Sequence, residues 1–357
     1  MKVLHFITTT ELGGAQKVCI DLCEKAVKED FQVAVASMKG GYLWSMLAPE
    51  VIPLPLNFLQ KNIKLSRDFL VFFELIQIMK EFKPDILHLH SSKAGVLGRL
   101  VGMFFKTKIV YTVHGFDSIR KKYNYFLPLE RLLQKHCDAI IPVSFYDKKN
   151  LEKERITKNL TVIQNGCMEN TNKTTHPYLE SLKNSNQKII MTIARIADPK
   201  RLDLFLSIAK KFENDDYKFV WIGGSTTKTL EEIHSLYDVP KNAFLAGDIP
   251  NASSLIHLCD IFILLSDFEG LPITIIEAMS KKKPIVASNV GGIPEVVNAN
   301  NGALINTIDE AIEFIQTVLQ NKDKLNQLGL NSYEQFKMNF TLDSMWEKYK
   351  NIYLSII

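Results

Sequence analysis

The chain has no apolar run of the roughly 18 residues that a membrane-spanning helix requires. Its opening stretch, Met1 to Ile7, passes into Thr8-Thr9-Thr10-Glu11 without the small-residue cleavage pattern of a secretory signal. These absences lead to the expectation of a cytoplasmic protein that neither spans the membrane nor is exported, with a β-strand at its start. Cysteine is sparse: Cys19, Cys23, Cys137, Cys167 and Cys259 form an odd, scattered set of 5. That excludes a disulfide framework and points to a reducing compartment. Cys19 and Cys23 share a helix face at i, i+4, but no second Cys pair or nearby His completes a metal set, so both read as small core residues. Neither sign of charge dominates, since 43 Lys+Arg against 39 Asp+Glu leave a net +4, which does not by itself indicate a nucleic-acid partner. Solenoid-length repeats are absent. The Gly-x-Gly-x-x-Gly fingerprint of a bound dinucleotide is missing too. No Asp-x-Asp stands at a strand end, so no essential metal and no resident cofactor are expected. Sequons at Asn159, Asn172, Asn251 and Asn339 read as chance matches in a chain without a secretory signal.

What is present is an ordinary globular composition, 46% hydrophobic and 23% charged, over 357 residues, enough for two domains. Short apolar runs alternate with helical patterns. Strands are expected at residues 3–8, 32–37, 85–90, 109–114, 139–143 and 160–164, with helices at 15–28, 66–82 and 93–105 between them. A polar stretch from 171 to 186 reads as an interdomain linker. The alternation restarts with strands at 188–194, 219–223, 244–246, 261–265 and 284–288. Residues 341–357 carry Leu342, Met345, Trp346, Tyr349, Ile352, Tyr353 and Ile356 at helical spacing. The pattern is that of parallel sheets covered on both faces, with ligands beyond the carboxyl ends of the strands.

The segment Glu269-Gly270-Leu271-Pro272-Ile273-Thr274-Ile275-Ile276-Glu277 sets two carboxylates 8 residues apart across a Gly-Leu-Pro turn. Pro272 suits the first position of a helix, whose free N–H groups bind anions. Glu269 and Glu277 are placed to accept hydrogen bonds from hydroxyls, so the segment suits a nucleotide sugar. Further strand ends carry Gly13-Gly14, Arg195 with Lys200, Gly223-Gly224 and Gly291-Gly292. Arg offers a planar fork and Lys a point charge for a diphosphate, although the same segment reads equally as a solvated basic loop. His114 ends a strand and suits hydrogen bonding to a sugar or acid–base work; it reads alternatively as a histidine satisfied by backbone. His88 and His90 alternate on a strand and read as structural.

Taken together, Glu-x7-Glu with Gly-Leu-Pro, Arg195 with Lys200, His114-Gly-Phe and Gly-Gly-Ile-Pro-Glu resemble retaining glycosyltransferase family 4. The resemblance runs nearly end to end. It implies an α/β GT-B fold of two Rossmann-like, doubly wound domains facing a central cleft. It also implies a final helix crossing back to the N-terminal domain. The implied domains are an acceptor-binding 1–170, completed by 341–357, and a nucleotide-sugar-binding 187–340. It implies Glu277 on the ribose diol, Glu269 on donor-sugar hydroxyls, Arg195 and Lys200 on the diphosphate, and His114 beside the transferred sugar. Gly13, Gly14, Gly223, Gly270, Leu271, Pro272 and Ile273 join the expected donor-binding set. The chain departs from the family pattern with Ala194 before the Arg, Arg201 after the Lys, and Asn165-Gly166-Cys167-Met168 in place of Asn-Gly-Val-Asp.

The expected reaction moves a hexose from a UDP- or GDP-sugar to a glycan or polyprenyl-diphosphate-linked acceptor in surface-polysaccharide assembly. A nucleotide-sugar 2-epimerase and a non-catalytic binding subunit are the alternatives. Arg120, Lys121, Lys122, Tyr123, Tyr125 and Phe126 mix cations with aromatics, as do residues 56–64 and 103–108. Such mixtures suit a lipid-linked diphosphate or peripheral binding to an anionic membrane, and equally a buried aromatic face with a solvated basic one.

Overall fold

The computed structural model describes residues 1–11, 13–169, 175–185 and 187–357. The chain divides into two compact units, Met1–Gly166 with Leu342–Ile357, and Cys167–Thr341. The first unit contains strands β1 (Lys2–Ile7), β2 (Gln32–Met38), β3 (Ile52–Leu56), β4 (Ile86–His90), β5 (Lys108–Val113) and β6 (Ala139–Pro142). The second contains β7 (Lys188–Ile193), β8 (Tyr217–Ile222), β9 (Ala243–Leu245), β10 (Ile261–Leu264), β11 (Ile285–Ser288) and β12 (Gly302–Ile305). Six helices bear on the argument: α1 (Gly14–Lys28), α2 (Leu65–Phe82), α3 (Ser92–Gly102), α4 (Pro177–Asn184), α5 (Ile273–Ser280) and α6 (Leu342–Ile356).

Both sheets are wholly parallel. Their orders, β3-β2-β1-β4-β5-β6 and β12-β11-β10-β7-β8-β9, follow the same doubly wound scheme. The order reverses between β1 and β4 in one sheet and between β7 and β10 in the other, which is where such sheets bind ligands.

Three differences from the sequence reading have physical causes. β3 was hidden by Pro53 and Pro55, which cannot donate to a ladder; it is tolerated because it is an edge strand paired only with β2. Residues 160–164 form no strand. Thr161 N donates to Ile140 O and Ile163 N to Pro142 O, but Pro142 has no N–H to return, and only a bridge at Leu160 remains. The expected linker holds α4, which begins at Pro177 and buries Leu179 and Leu182, an apolar pair too short to stand out from its polar surroundings. Residues 171–174 and 186 of that linker lie outside the described residues.

The first sheet has two unlike faces because β4 reads Ile-Leu-His-Leu-His. Leu87 and Leu89 join Leu4, Phe6, Ile109, Tyr111 and Val113 in an apolar core. His88 and His90 point the other way, and His5 lies opposite His88 in the β1–β4 register. That polar face is closed by α6. Its Tyr353 hydroxyl is 2.5 Å from His88 Nδ1, and its Tyr349 hydroxyl is 3.1 Å from Thr112 Oγ1. Trp346 Nε1 donates to Glu29 at 2.6 Å, which ties the end of the chain to the residue that caps α1.

On the apolar side Arg99 of α3 is fully buried. It donates to both carboxylate oxygens of Glu130 at 2.7 and 2.8 Å and to Gly95 O at 2.7 Å. Its guanidinium lies over the Tyr111 ring. Removing one member of such a pair leaves an uncompensated buried charge. Glu130→Gln is therefore expected to destabilise the protein by about 3–5 kcal/mol, read from urea unfolding; a loss under about 1 kcal/mol would contradict this account of the pair.

Candidate active site

In the second unit the loops after β7, β8, β10 and β11 are tied to one another. The β7 loop folds back so that Arg201 N donates to Leu265 O and Asp267 N to Pro199 O, both at 3.0 Å. Lys200 therefore stands against Ser266 in a short antiparallel bridge. In this position Lys200 Nζ pairs with Glu269, whose Oε1 also accepts from Ser266 Oγ at 2.6 Å. Lysine and carboxylate are only 20% and 12% exposed, so the pair is held in a partly desolvated site. Two sequence-predicted residues, 69 positions apart, thus meet at the point where the strand order reverses. Arg195 lies exposed on the same β7 loop. Its neighbour Arg201 is engaged elsewhere, with Asp203 and Asp267.

Glycine makes this closeness possible. A Cβ on Gly291 would stand 1.9 Å from Glu269 O, and the residue has φ +59°; a Cβ on Gly223 would stand 2.2 Å from Ala194 O, with φ +128°. Gly223, expected to approach a ligand, is thus required by the backbone of the β7 loop. Gly292 N donates to Gly270 O at 3.0 Å, which fixes the turn that leads into α5.

Pro272 is the N-cap of α5, in extended conformation at ψ 119°, and not its first helical residue. Ile273, Ile275, Ile276, Ala278 and Met279 are buried, and so are Leu271 and Pro272. The side chains of Leu271, Pro272 and Ile273 therefore belong to the core, leaving their backbone for a ligand. Thr274 and Glu277, one turn apart, form the face of α5 that is not sealed. The helix N-terminus beside Glu269 carries N–H groups with no intrahelical acceptor, an anion-receptive end.

In the first unit Gly13 caps α1 with extended backbone and Gly14 is exposed at its start. Gln16 closes the loop by donating to Thr9 O and Oγ1. His114 follows β5 directly, and Gly115 turns the chain at φ +144°. Burial pushes His114 down to about pKa 4, so the ring is neutral near pH 7. Its Nε2 is 3.1 Å from His90 Nδ1.

Several relevant residues escaped the sequence reading. Ser266, three residues before Glu269, holds that carboxylate. Asp248 accepts from Gly224 N at 2.7 Å. Gly41, at φ +84°, packs where a Cβ would meet Thr10 Oγ1 at 2.2 Å. His5 and His90 lie within 4.8 Å of Cys19 through their ligand-type atoms, so the histidines thought absent beside that cysteine are present, supplied by β1 and β4.

The expected membrane or acceptor stretch is only partly free. Arg120 and Lys121 both pair with Asp117 at 2.8 Å, and Lys122 sits over the Tyr123 ring. Tyr123 and Tyr125 are exposed, and Phe126 packs against the core. The larger apolar surface is on α2 and just after α3. Leu65, Phe69, Leu70, Phe73, Met103 and Phe104 are all exposed. Rings follow one another from Phe69 to Phe73, Phe72 and Phe104 at centroid spacings of 4.9, 5.7 and 6.0 Å.

Comparison with known proteins agrees with this geometry. Residues 12–168 match the family described as Glycosyltransferase Family 4, and residues 179–335 match Glycosyl transferases group 1. An Escherichia coli protein named UDP-Gal:alpha-D-GlcNAc-diphosphoundecaprenol alpha-1,3-galactosyltransferase is 28% identical, over 100% of this chain and 97% of its own length. The Staphylococcus aureus capsular polysaccharide biosynthesis glycosyltransferase CapM is 24% identical, over 99% and 96%. Among solved structures, Anabaena Alr3699/HepE in complex with UDP and glucose has the same fold, with TM-score 0.85 at 20% identity over 100% of both chains.

Because Gly291 lets the β11 loop rest on Glu269, Gly291→Ala is expected to displace that carboxylate. Activity is expected to fall at least tenfold while the far-ultraviolet circular dichroism spectrum stays unchanged; full activity would show that the contact does not position Glu269.

Proposed function

Because this chain belongs to glycosyltransferase family 4 and is thereby a glycosyltransferase, we propose that it is a retaining hexosyltransferase. Its donor is a nucleotide sugar, UDP-linked in preference to GDP-linked, and its acceptor is a glycan carried on a polyprenyl diphosphate in surface-polysaccharide assembly. The observation that carries the reading is the Lys200–Glu269–Ser266 cluster beside the N-terminus of α5. It sets a fixed cation and helix N–H groups next to a carboxylate, the combination suited to a diphosphate joined to a polyol. Glu277, on the open face of α5, takes the ribose diol; Arg195 adds a second cation for the diphosphate. UDP is favoured because the E. coli relative is named for UDP-Gal and the Anabaena protein was solved with UDP.

In this reading the acceptor hydroxyl attacks the anomeric carbon on the face the diphosphate leaves. The C–O bond to the nucleotide breaks, the new glycosidic bond forms, and the departing phosphate oxygen takes the hydroxyl proton. The protein's part is to position both substrates and stabilise charge on the leaving group. That work needs no resident metal, and turnover should persist in EDTA.

Thermal stabilisation by UDP, GDP, ADP and CMP tests the donor site. A shift with UDP that is lost in Glu277→Ala and weakened in Lys200→Ala is expected, with kcat in Lys200→Ala down by about 10²–10³-fold. No shift with any nucleotide, or unaltered kcat, would remove the assignment.

We also place the membrane contact on the α2 ring row and not on residues 120–126. Asp68 on α2 is neutralised by Lys93 at 2.5 Å, and Glu74 accepts the N–H groups of Asn57 and Phe58. Among the described residues the side chains of Lys64, Arg67 and Lys106, which flank the row, form no ion pair with a carboxylate; Lys64 reaches Asp68 only through its backbone N–H. An exposed aromatic row with a cationic rim fits an anionic bilayer; a second copy of the chain would set like charges against each other. Flotation with phosphatidylglycerol vesicles should exceed that with phosphatidylcholine and drop at least tenfold in Phe69→Ser/Phe73→Ser/Phe104→Ser. Flotation indifferent to these changes but abolished by Lys122→Ala/Tyr125→Ser would return the contact to the 120–126 stretch.

A further inference from the structure

A continuous line of imidazoles crosses the first sheet. His5 Nδ1 is 3.0 Å from His90 Nε2, and His90 Nδ1 is 3.1 Å from His114 Nε2. His5 and His90 are fully buried, and the stacked rings follow one another at 5.3 and 5.4 Å. His88 stands outside the line, since its two nitrogens are used by Tyr353 and Thr112. The far end of the line, His5 Nε2, is buried without a hydrogen-bond partner; Cys19 is the sulfur beside that ring.

A neutral imidazole donates from one nitrogen and accepts at the other, so fixing the proton on one ring fixes it on all three. Burial holds His90 well below the ordinary histidine pKa and His114 at about 4, which makes these two rings neutral. The orphan nitrogen sets the direction. Carried as N–H, His5 Nε2 would be a buried donor with no oxygen or nitrogen acceptor, a rare and costly state; carried as a lone pair it is tolerated. Cys19 Sγ makes no hydrogen bond to that nitrogen, and a thiol sulfur is in any case a weak acceptor. The His5 proton is therefore on Nδ1 and is donated to His90 Nε2. The His90 proton is in turn on Nδ1 and is donated to His114 Nε2. The His114 proton must then be on Nδ1, the ring nitrogen left for a ligand.

We infer that His5 and His90 are positioning residues that hold His114 as its Nδ1–H tautomer, so that His114 meets the transferred sugar as a hydrogen-bond donor and not as a base. This rests on the reading of His114 as the residue that serves that sugar. A donor there polarises a sugar oxygen without taking a proton, which leaves the departing phosphate as the proton acceptor.

The test is the nitrogen-15 spectrum of ring-labelled, assigned histidines in the full-length protein without donor. Nδ1–H signals for His5, His90 and His114 are expected; an Nε2–H signal for His114 would overturn the inference. Because this spectrum needs no turnover, it is decided even if the proposed donor is wrong. Two variants add a kinetic readout. His90→Asn keeps an amide N–H near the Nδ1 position, whereas His90→Phe keeps the ring shape without it. The expectation is a fall in kcat of at least tenfold for the Phe variant, with donor KM within about threefold, and recovery of most of kcat by Asn. Equal loss in both variants, or none in either, would contradict the inference. Should the Phe variant fail to fold, the wild-type spectrum still settles the tautomer.

Discussion

The first unit depends on partnering buried polar groups on one face of its sheet. Strand β4 alternates leucine with histidine, so burying Leu87 and Leu89 on one side forces His88 and His90 into the interior on the other. An unpartnered polar group there costs far more than a partnered one contributes. The partners come from three separate parts of the chain: His5 on β1, Thr112 and His114 at the end of β5, and Tyr353 of α6, with the Tyr349 hydroxyl in turn partnering Thr112. This explains why the end of the chain belongs to the unit that holds its beginning. Residues 342–357 complete a hydrogen-bonding scheme that the first 166 residues leave open. The same line of imidazoles that satisfies the interior reaches His114.

The second unit is built on a different constraint, the close approach of backbones. Four loops converge at the carboxyl ends of β7, β8, β10 and β11. Two of the closest approaches stand where glycine has positive φ and no Cβ to collide. The loops are held together by a few side-chain contacts as well: Lys200 and Ser266 on Glu269, Asp248 on Gly224. A partly desolvated ion pair of this kind is a weak source of stability. Its value lies in placing a cation and a carboxylate side by side at the reversal point of the sheet.

Charge was the least legible property. Arg120 and Lys121 count as two cations in sequence, yet both fold onto one nearly buried carboxylate, Asp117, and what they present to solvent is correspondingly reduced. The converse holds on α2, where Asp68 and Glu74 look like acidic breaks in an aromatic helix; Asp68 is paired with Lys93, and Glu74 is turned to the N–H groups of Asn57 and Phe58. How far a charge is offset depends on which neighbours reach it, whether one turn away, as for Asp117, or 25 residues along the chain, as for Lys93 and Asp68.

The alternation of apolar runs and helical patterns was enough to fix two doubly wound sheets, because the period of burial is a local property of strands and helices. The same holds for Glu269-to-Glu277 and its Gly-Leu-Pro turn, where turn chemistry and spacing are both local. Strands β3 and β12 and helix α4 were not legible, and neither was the failure of residues 160–164 to form a strand, since prolines, a leading glycine and short length conceal what only neighbours decide. Tertiary structure alone decided that Lys200 meets Glu269, that the β7 loop packs where Gly223 must lack a Cβ, and that His88 and His90 differ. One of these histidines is tied to the last helix and the other reaches His114. Such outcomes depend on which distant groups arrive to satisfy a buried donor or acceptor, and no local pattern records that.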